Sequence, residues 1–248
     1  MGAFHDGHLA LIRRAREKCQ TVYVSLFVNR AQFDRDEDYR SYPADEQRDF
    51  ALAEELQVDG VFAPSFEHMQ SHKIDAVPLP AAAQRWEGAH RPGHFAGVTE
   101  IVAKLFDIFE PDTAFFGIKD LQQSAVIRQM LANSGSSVSL DLVDTVREPS
   151  GLAMSSRNAR LDPDQRSSAA GLYETLNAVA ASIRAGGEPV ADALANGIET
   201  LRLKGFETEY LAYVDPESME PVSEFSRGMR VIAAANFHGV RLIDNVPV

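Results

Sequence analysis

Two histidines flank a glycine in the stretch His5-Asp6-Gly7-His8, and a helical pattern of Leu9, Leu11, Ile12 and Ala15 follows at once. That spacing aims two imidazoles and the positive end of a helix dipole at one point, which suits the phosphates of a nucleotide. The intervening Gly7 lets a phosphate or a flat base approach the backbone closely. Zinc is a second reading of the pair, although no third ligand lies nearby in sequence and Asp6 points elsewhere on a helix. An exposed polar face is the third. A phosphate site of this kind normally sits on a turn leaving a strand, and here no strand precedes it.

Four further stretches carry polar chemistry. Phe27-Val28-Asn29-Arg30-Ala31-Gln32-Phe33 places amides where an interior strand would end, and Asn29 alone also reads as a turn residue. Phe116-Gly117-Ile118-Lys119-Asp120-Leu121-Gln122-Gln123 sets a glycine, a lysine and a glutamine at another such end. There Lys119 would neutralise phosphate charge, and Gln123 falls one helical turn beyond it. Gly151-Leu152-Ala153-Met154-Ser155-Ser156-Arg157-Asn158 combines small hydroxyls and an arginine after a glycine, the composition of a mobile anion-binding loop. Glu87 to Phe95 reads as a loop whose basic groups, Arg91 and His94 among them, would meet a carboxylate.

The elements that must position these groups follow from hydrophobic periodicity. Thr21 to Val28 is a β-branched and aromatic run expected as a strand buried on both faces, and Val58 to Ala63 as a second short strand. Thr113 to Phe116 and Ser137 to Val146 are further strands. Asp45 to Leu56, Thr99 to Phe109 and Leu121 to Ala132 read as helices between them. This alternation predicts an α/β, Rossmann-like parallel sheet with helices on both faces, and loops after Val28, Phe116 and Val146 at its carboxyl edge. After Asn158 the pattern changes. Asp162-Pro163 starts a helix that runs into Ala169 to Ala185, Gly186-Gly187 closes it, and Val190 to Lys204 is another. Strands follow at Glu209 to Val214, Met229 to Ala235 and Val240 to Ile243. The expected domains are 1–146, which binds the nucleotide, and 147–248, a smaller α+β domain closing over the site.

Composition narrows the class. With 248 residues, 45% hydrophobic and 24% charged, the chain describes an ordinary globular protein of one large domain, or a large and a small one. A net charge of −12 argues against nucleic-acid binding, but a few local cations suffice for an anionic small molecule. The single cysteine, Cys19, leaves no internal disulfide and fits the cytoplasm. No apolar run approaches the ~20 residues of a membrane span, and no signal-peptide pattern opens the chain.

Read in order, these motifs resemble the pantoate–β-alanine ligase (pantothenate synthetase) family of the HxGH nucleotidyltransferases. The resemblance is carried by MGAFHDGH, SLFVNRAQF, SYP, EGAHRPGHFAGV, KLF, PD-A-FG-KD-QQ, GLAMSSRN and RLIDN, which span essentially the whole chain. It implies ATP-dependent condensation of pantoate with β-alanine through a pantoyl adenylate, releasing pyrophosphate and then AMP. It assigns ATP to Met1, Gly2, Ala3, Phe4, His5, Asp6, Gly7 and His8, to Gly117, Ile118, Lys119 and Asp120, and to Val146, Met154, Ser155, Ser156 and Arg157. His8, His5 and Lys119 would be catalytic, with His8 the proton donor. Gln32 and Gln123 would hold pantoate, with Arg91 and His94 as additional substrate contacts. Magnesium would ride mainly on ATP oxygens, with Asp49 as the protein-side candidate. The resemblance also implies a homodimer.

The chain departs from the family pattern at Arg30, where proline is usual, at Ile118, where glutamate is usual, and at Ala44, where arginine is usual. The stretch from Met69 to Ile74 is short. The family also opens with a further strand–helix–strand stretch before the motif, whereas here the motif's methionine is Met1, so an upstream start is expected. These departures keep a catalytically impaired relative acting as a binding protein as an alternative. Another HxGH adenylyltransferase is the remaining one, disfavoured by the neutral pair Gln32 and Gln123.

Overall fold

The computed structural model describes residues 2–32, 39 and 45–248, without the side chain of Gln32. Met1, Phe33 and the Tyr42-Pro43-Ala44 run lie outside the described residues. The chain divides into two compact units, Met1–Ile118 with Val126–Asp144, and Lys119–Ala125 with Thr145–Val248.

In the first unit, helix α1 (Asp6–Lys18) leads to strand β1 (Tyr23–Ser25), which pairs in parallel with β2 (Gly60–Phe62). Both strands are shorter than their apolar runs. The Val22 N–H donates to the Asp59 carboxylate at 2.7 Å instead of extending the ladder, and beyond Leu26 the chain turns into a 3₁₀ turn, Arg30–Gln32. Burial on both faces does not hold for β1. Tyr23 is 59% exposed, its ring lying over Gly60 and 5.6 Å from that of Phe109.

Helix α2 (Glu46–Glu55) starts at Asp45, whose side chain accepts the Arg48 N–H, as short polar N-cap residues do. Helix α3 (Phe66–Ser71), capped by Ser65, was not legible in the periodicity. The stretch expected as a loop from Glu87 to Phe95 is instead α4 (Glu87–His90) followed by the start of α5 (His94–Phe109). Only the Arg91-Pro92-Gly93 link interrupts them, and Gly93 takes a left-handed φ of 85° to begin the second helix. Helix α5 thus begins five residues before Thr99.

Strand β3 (Thr113–Gly117) pairs in parallel with β4 (Ser139–Val143), with Gly117 opposite Val143 and α6 (Leu121–Ser134) between them in sequence. The α/β architecture is therefore present, its parallel strands forming two ladders, β1–β2 and β3–β4. Helix α1 packs on β3 and β4, and Arg14 and Lys18 of its last turns both bond Asp141 on β4. Phe4, Ile12, Val24, Leu26 and Ala53 form a buried cluster directly beneath the histidine motif.

The second unit holds helices α7 (Pro163–Ser168), α8 (Gly171–Ala185) and α9 (Val190–Leu203) and the antiparallel strands β5 (Glu207–Val214), β6 (Arg230–Phe237) and β7 (Val240–Pro247). The sheet order is β5-β6-β7. Asp162 and Gln165 cap α7 reciprocally. The helix expected to run on to Ala185 breaks at Ala169-Ala170, directly before Gly171. Helices α8 and α9 cover one face of the sheet, burying Leu172, Leu176, Ile183 and Leu201 against Tyr213, Val231 and Phe237.

Candidate functional site

The histidine pair is built into the start of α1. His5 is its N-cap, in extended conformation, and its Nδ1 accepts the Gly7 N–H at 3.2 Å. His8, three residues on, accepts the His5 N–H on its own Nδ1 at 3.3 Å. The two imidazoles thus form a reciprocal capping box, the place usually taken by Ser or Thr with Glu or Gln. The rings lie 4.0 Å apart at 32°, and Phe4 sits 5.7 Å from His8. Because both Nδ1 atoms act as acceptors, the neutral rings carry their protons on Nε2. This arrangement makes the pair two oriented N–H donors at a helix N-terminus. Asp6 is exposed in the first turn, where a carboxylate complements the dipole.

The backbone before the motif is strained and pinned. Ala3 has a φ of 51°, a left-handed conformation costing a non-glycine residue about 1–2 kcal/mol. Asp49, on α2 and only 1% exposed, accepts the Ala3 N–H on Oδ2 and the Phe4 N–H on Oδ1, both at 2.7 Å. The neighbouring Arg48 donates to the Phe4 carbonyl at 3.1 Å. Such short bonds to a buried carboxylate are strong enough to offset the strain. The geometry therefore gives Asp49 an anchoring task, with both oxygens committed to backbone. Among the described residues, no group of three His, Cys, Asp or Glu side chains is arranged to hold a metal ion.

In the same unit, Asn29 is buried and holds the segment after β1. Its Nδ2 donates to the Gly97 carbonyl on α5 at 3.0 Å, and its Oδ1 accepts the Ala31 N–H. The turn that carries Gln32 is thereby fixed to α5, while the Gln32 side chain lies outside what is described. Arg30 stacks over Tyr39 at 5.4 Å. Arg91 pairs with the buried Glu87 at 3.3 Å and approaches His94 Nε2 at 3.4 Å. The two basic residues are together, and Arg91 also meets the protein's own Glu87 carboxylate. Gly117 ends β3 with no atom of the described residues beyond its chain neighbours within 4 Å of where a Cβ would stand, and Ile118 opens a 3₁₀ turn.

The second unit contains Lys119, Asp120, Gln123, Val146 and the segment 154–157. Lys119 is mostly buried, and its Nζ lies 3.9 Å from Asp120. It sits on the 3₁₀ turn Ile118–Asp120, not on α6, so the single-helix spacing to Gln123 does not apply. The segment after Val146 is a short hairpin rather than an open loop. Met154 N–H donates to the Val146 carbonyl at 2.9 Å, and Arg147 and Ala153 form an antiparallel bridge. Gly151 turns the hairpin at a φ of 98°, where an added Cβ would meet the Tyr173 ring at 2.9 Å. Ser155 caps a 3₁₀ helix, Ser156–Arg160, by accepting the Arg157 N–H. Asn158, 1% exposed, donates to Glu148 and to the Ala153 carbonyl. Glu148 also binds Arg166 on α7, closing the hairpin against that helix.

Sequence reasoning did not single out Arg48, Arg147, Asn158 or Asp244. Their partners lie elsewhere in sequence or on the backbone, and the signals were the GLAMSSRN stretch, which contains Asn158, and the RLIDN stretch, which contains Asp244 and Asn245. No helix among the described residues is long and apolar enough to cross a membrane.

Comparison with known proteins agrees across the chain. Residues 1–247 match the family model described as pantoate-beta-alanine ligase. The pantothenate synthetase of Thermus thermophilus is 47% identical over 252 residues, covering 100% of this chain and 91% of the relative. That of Cereibacter sphaeroides is 43% identical, covering 100% of this chain and 89% of the relative. The crystal structure of the Thermus thermophilus protein superposes with a TM-score of 0.93 at 45% identity, covering 100% of this chain and 90% of that one. The ligase of Francisella tularensis, solved in complex with beta-gamma ATP and β-alanine, superposes with a TM-score of 0.81 at 31% identity, covering 100% of this chain and 87% of that one. With motifs, fold and whole-chain similarity in agreement, the chain belongs to the pantoate–β-alanine ligase family.

Proposed function

We propose that this protein joins pantoate to β-alanine at the expense of ATP, through a pantoyl adenylate. A pantoate carboxylate oxygen attacks the α-phosphorus, and the bond to pyrophosphate breaks as that group leaves. The β-alanine amine then attacks the acyl carbon, the bond to AMP breaks, and the amine loses a proton. Pantothenate and AMP are the products. The observation that carries this reading is the histidine capping box, which fixes two Nε2–H donors at a helix N-terminus where negative charge is stabilised.

In this reading His5 and His8 bind the phosphates, and His8 supplies the proton. Residues 1–4, Gly117, Ile118, Asp120 and Val146 line the nucleotide. Lys119 and Met154, Ser155, Ser156 and Arg157 contact the phosphates, consistent with a lysine only loosely paired to Asp120 and a capped serine–arginine turn. Gln32 and Gln123 hold pantoate, with Arg91 and His94 as additional substrate contacts. Magnesium arrives as Mg·ATP, held mainly on the nucleotide's own oxygens, with Asp49 as the protein-side candidate. The resemblance to the family further supports a homodimer, and the lone cysteine a cytoplasmic location.

The test is incubation with ATP, pantoate and β-alanine, following AMP and pyrophosphate. Pantoate-dependent exchange of labelled pyrophosphate into ATP without β-alanine, and AMP release on adding it, are expected. AMP formation that ignores pantoate would overturn the reading.

A further inference from the structure

Two adjacent residues of β7 reach both polar segments of the second unit. Asp244, 4% exposed, takes the Arg147 guanidinium in a two-point fork, with Oδ2 accepting Nη1 at 2.6 Å and Oδ1 accepting Nη2 at 3.0 Å. The same Nη1 donates to the Gly151 carbonyl at 3.1 Å, and the guanidinium stacks 3.6 Å over the Tyr173 ring. Arg147 is thus fixed on both sides of the hairpin that pairs Val146 with Met154. Asn245, 2% exposed, donates from Nδ2 to the Lys119 carbonyl at 3.0 Å, while its Oδ1 accepts Arg230 Nε at 2.6 Å. Its backbone N–H donates to Asp244 Oδ1 at 2.8 Å, so the Asp244 carboxylate is tied to the backbone that carries Asn245.

We propose that Asp244 and Asn245 are positioning residues that set Lys119 and the Val146–Met154 hairpin in register with each other. Side-chain partners this buried have one low-energy arrangement, since leaving any of them unpaired costs the full desolvation of that group. A fixed backbone at Lys119 and at Val146 and Met154 gives the nucleotide preorganised contacts. The inference rests on the roles proposed above for Lys119 and the hairpin.

Three variants test it. Asn245→Asp keeps the acceptor for Arg230 and turns the donor facing the Lys119 carbonyl into an acceptor. Asp244→Asn removes the charge of the fork. Arg241→Gln breaks the pair between Arg241, also on β7, and Glu209 on β5, and serves as the destabilised control. Pantoate-dependent pyrophosphate exchange is measured beside urea unfolding and amide hydrogen exchange at Met154. We expect about a tenfold or greater fall in kcat for Asn245→Asp and Asp244→Asn, with KM for pantoate nearly unchanged and Arg241→Gln active. In Asp244→Asn the Met154 amide loses protection, while in Arg241→Gln it keeps it. Folded Asp244 and Asn245 variants with wild-type kcat, or an equal loss in Arg241→Gln, overturn the proposal. If the wild type shows no exchange, the functional reading fails by itself. The Met154 amide then decides the positioning: lost protection in Asp244→Asn supports it, and retained protection overturns it.

Discussion

His5 and His8 cap the same helix in opposite directions, each ring using Nδ1 to accept a backbone N–H. Capping therefore uses Nδ1, and the phosphate contact proposed above would use Nε2 of each ring. Asparagine is an excellent N-cap whose Oδ1 reproduces the Nδ1 acceptor and lacks anything like Nε2. For His5→Asn and His8→Asn we expect thermal stability to stay close to wild type while kcat/KM falls about 10²–10³-fold, the cost of one oriented donor. Calorimetry beside steady-state kinetics checks this, and parallel losses of stability and rate would contradict it.

Asp49 holds the strained Ala3 backbone. Asp49→Asn turns one of two acceptors toward an N–H as a donor, and we expect a stability loss of about 2 kcal/mol. KM for ATP should rise, because residues 2–5 relax. Raising Mg²⁺ should leave both defects in place. Recovery of activity with excess Mg²⁺ would instead make Asp49 a ligand of the metal.

Gly117 ends β3 in open space. An added methyl meets no atom of the described residues beyond its chain neighbours, and replacing a strand glycine by alanine is favourable by about 0.5–1 kcal/mol. Gly117→Ala should be as stable as wild type or more so. If the nucleotide packs against this backbone, KM for ATP rises several-fold; unchanged KM in a nucleotide titration removes Gly117 from the site.

Asp141 receives Lys18 and Arg14 from α1, and these hydrogen bonds hold its carboxyl below the usual aspartate range. A folded-state value below the unfolded one contributes stability above the ordinary value of about 3.9 and loses it as pH falls through the lowered value. Asp141→Asn should therefore be clearly less stable than wild type at neutral pH, with the gap closing toward pH ~3. Urea midpoints across that range give the sign, and a gap that widens in acid would exclude the linkage.

Periodic stretches were the legible part of the fold. α1, α2, α6 and α9 begin or end within about two residues of their sequence patterns, because their apolar spacing and caps act locally. The break at Ala169-Ala170 was not legible: alanine is the best helix former, and the single Gly171 that follows is tolerated within a helical pattern, so packing decides there. The Val146–Met154 hairpin has few β-branched residues, and its register comes from Arg147 and Tyr173. At the candidate site the histidines announced themselves by type and spacing. Asn29 read equally as a turn residue, and only its bond to Gly97 separates the readings. Asp49 entered only as the protein-side magnesium candidate that the resemblance implies, and its backbone partners were invisible in a linear pattern.

The anchors at Ala3, Lys119 and Arg147 come from residues 46, 126 and 97 positions away in sequence. Helices whose caps are local can form before these contacts do, whereas each of the three backbone positions is held only once its distant partner is in place. Order at these positions is therefore a property of the finished unit and not of the local sequence.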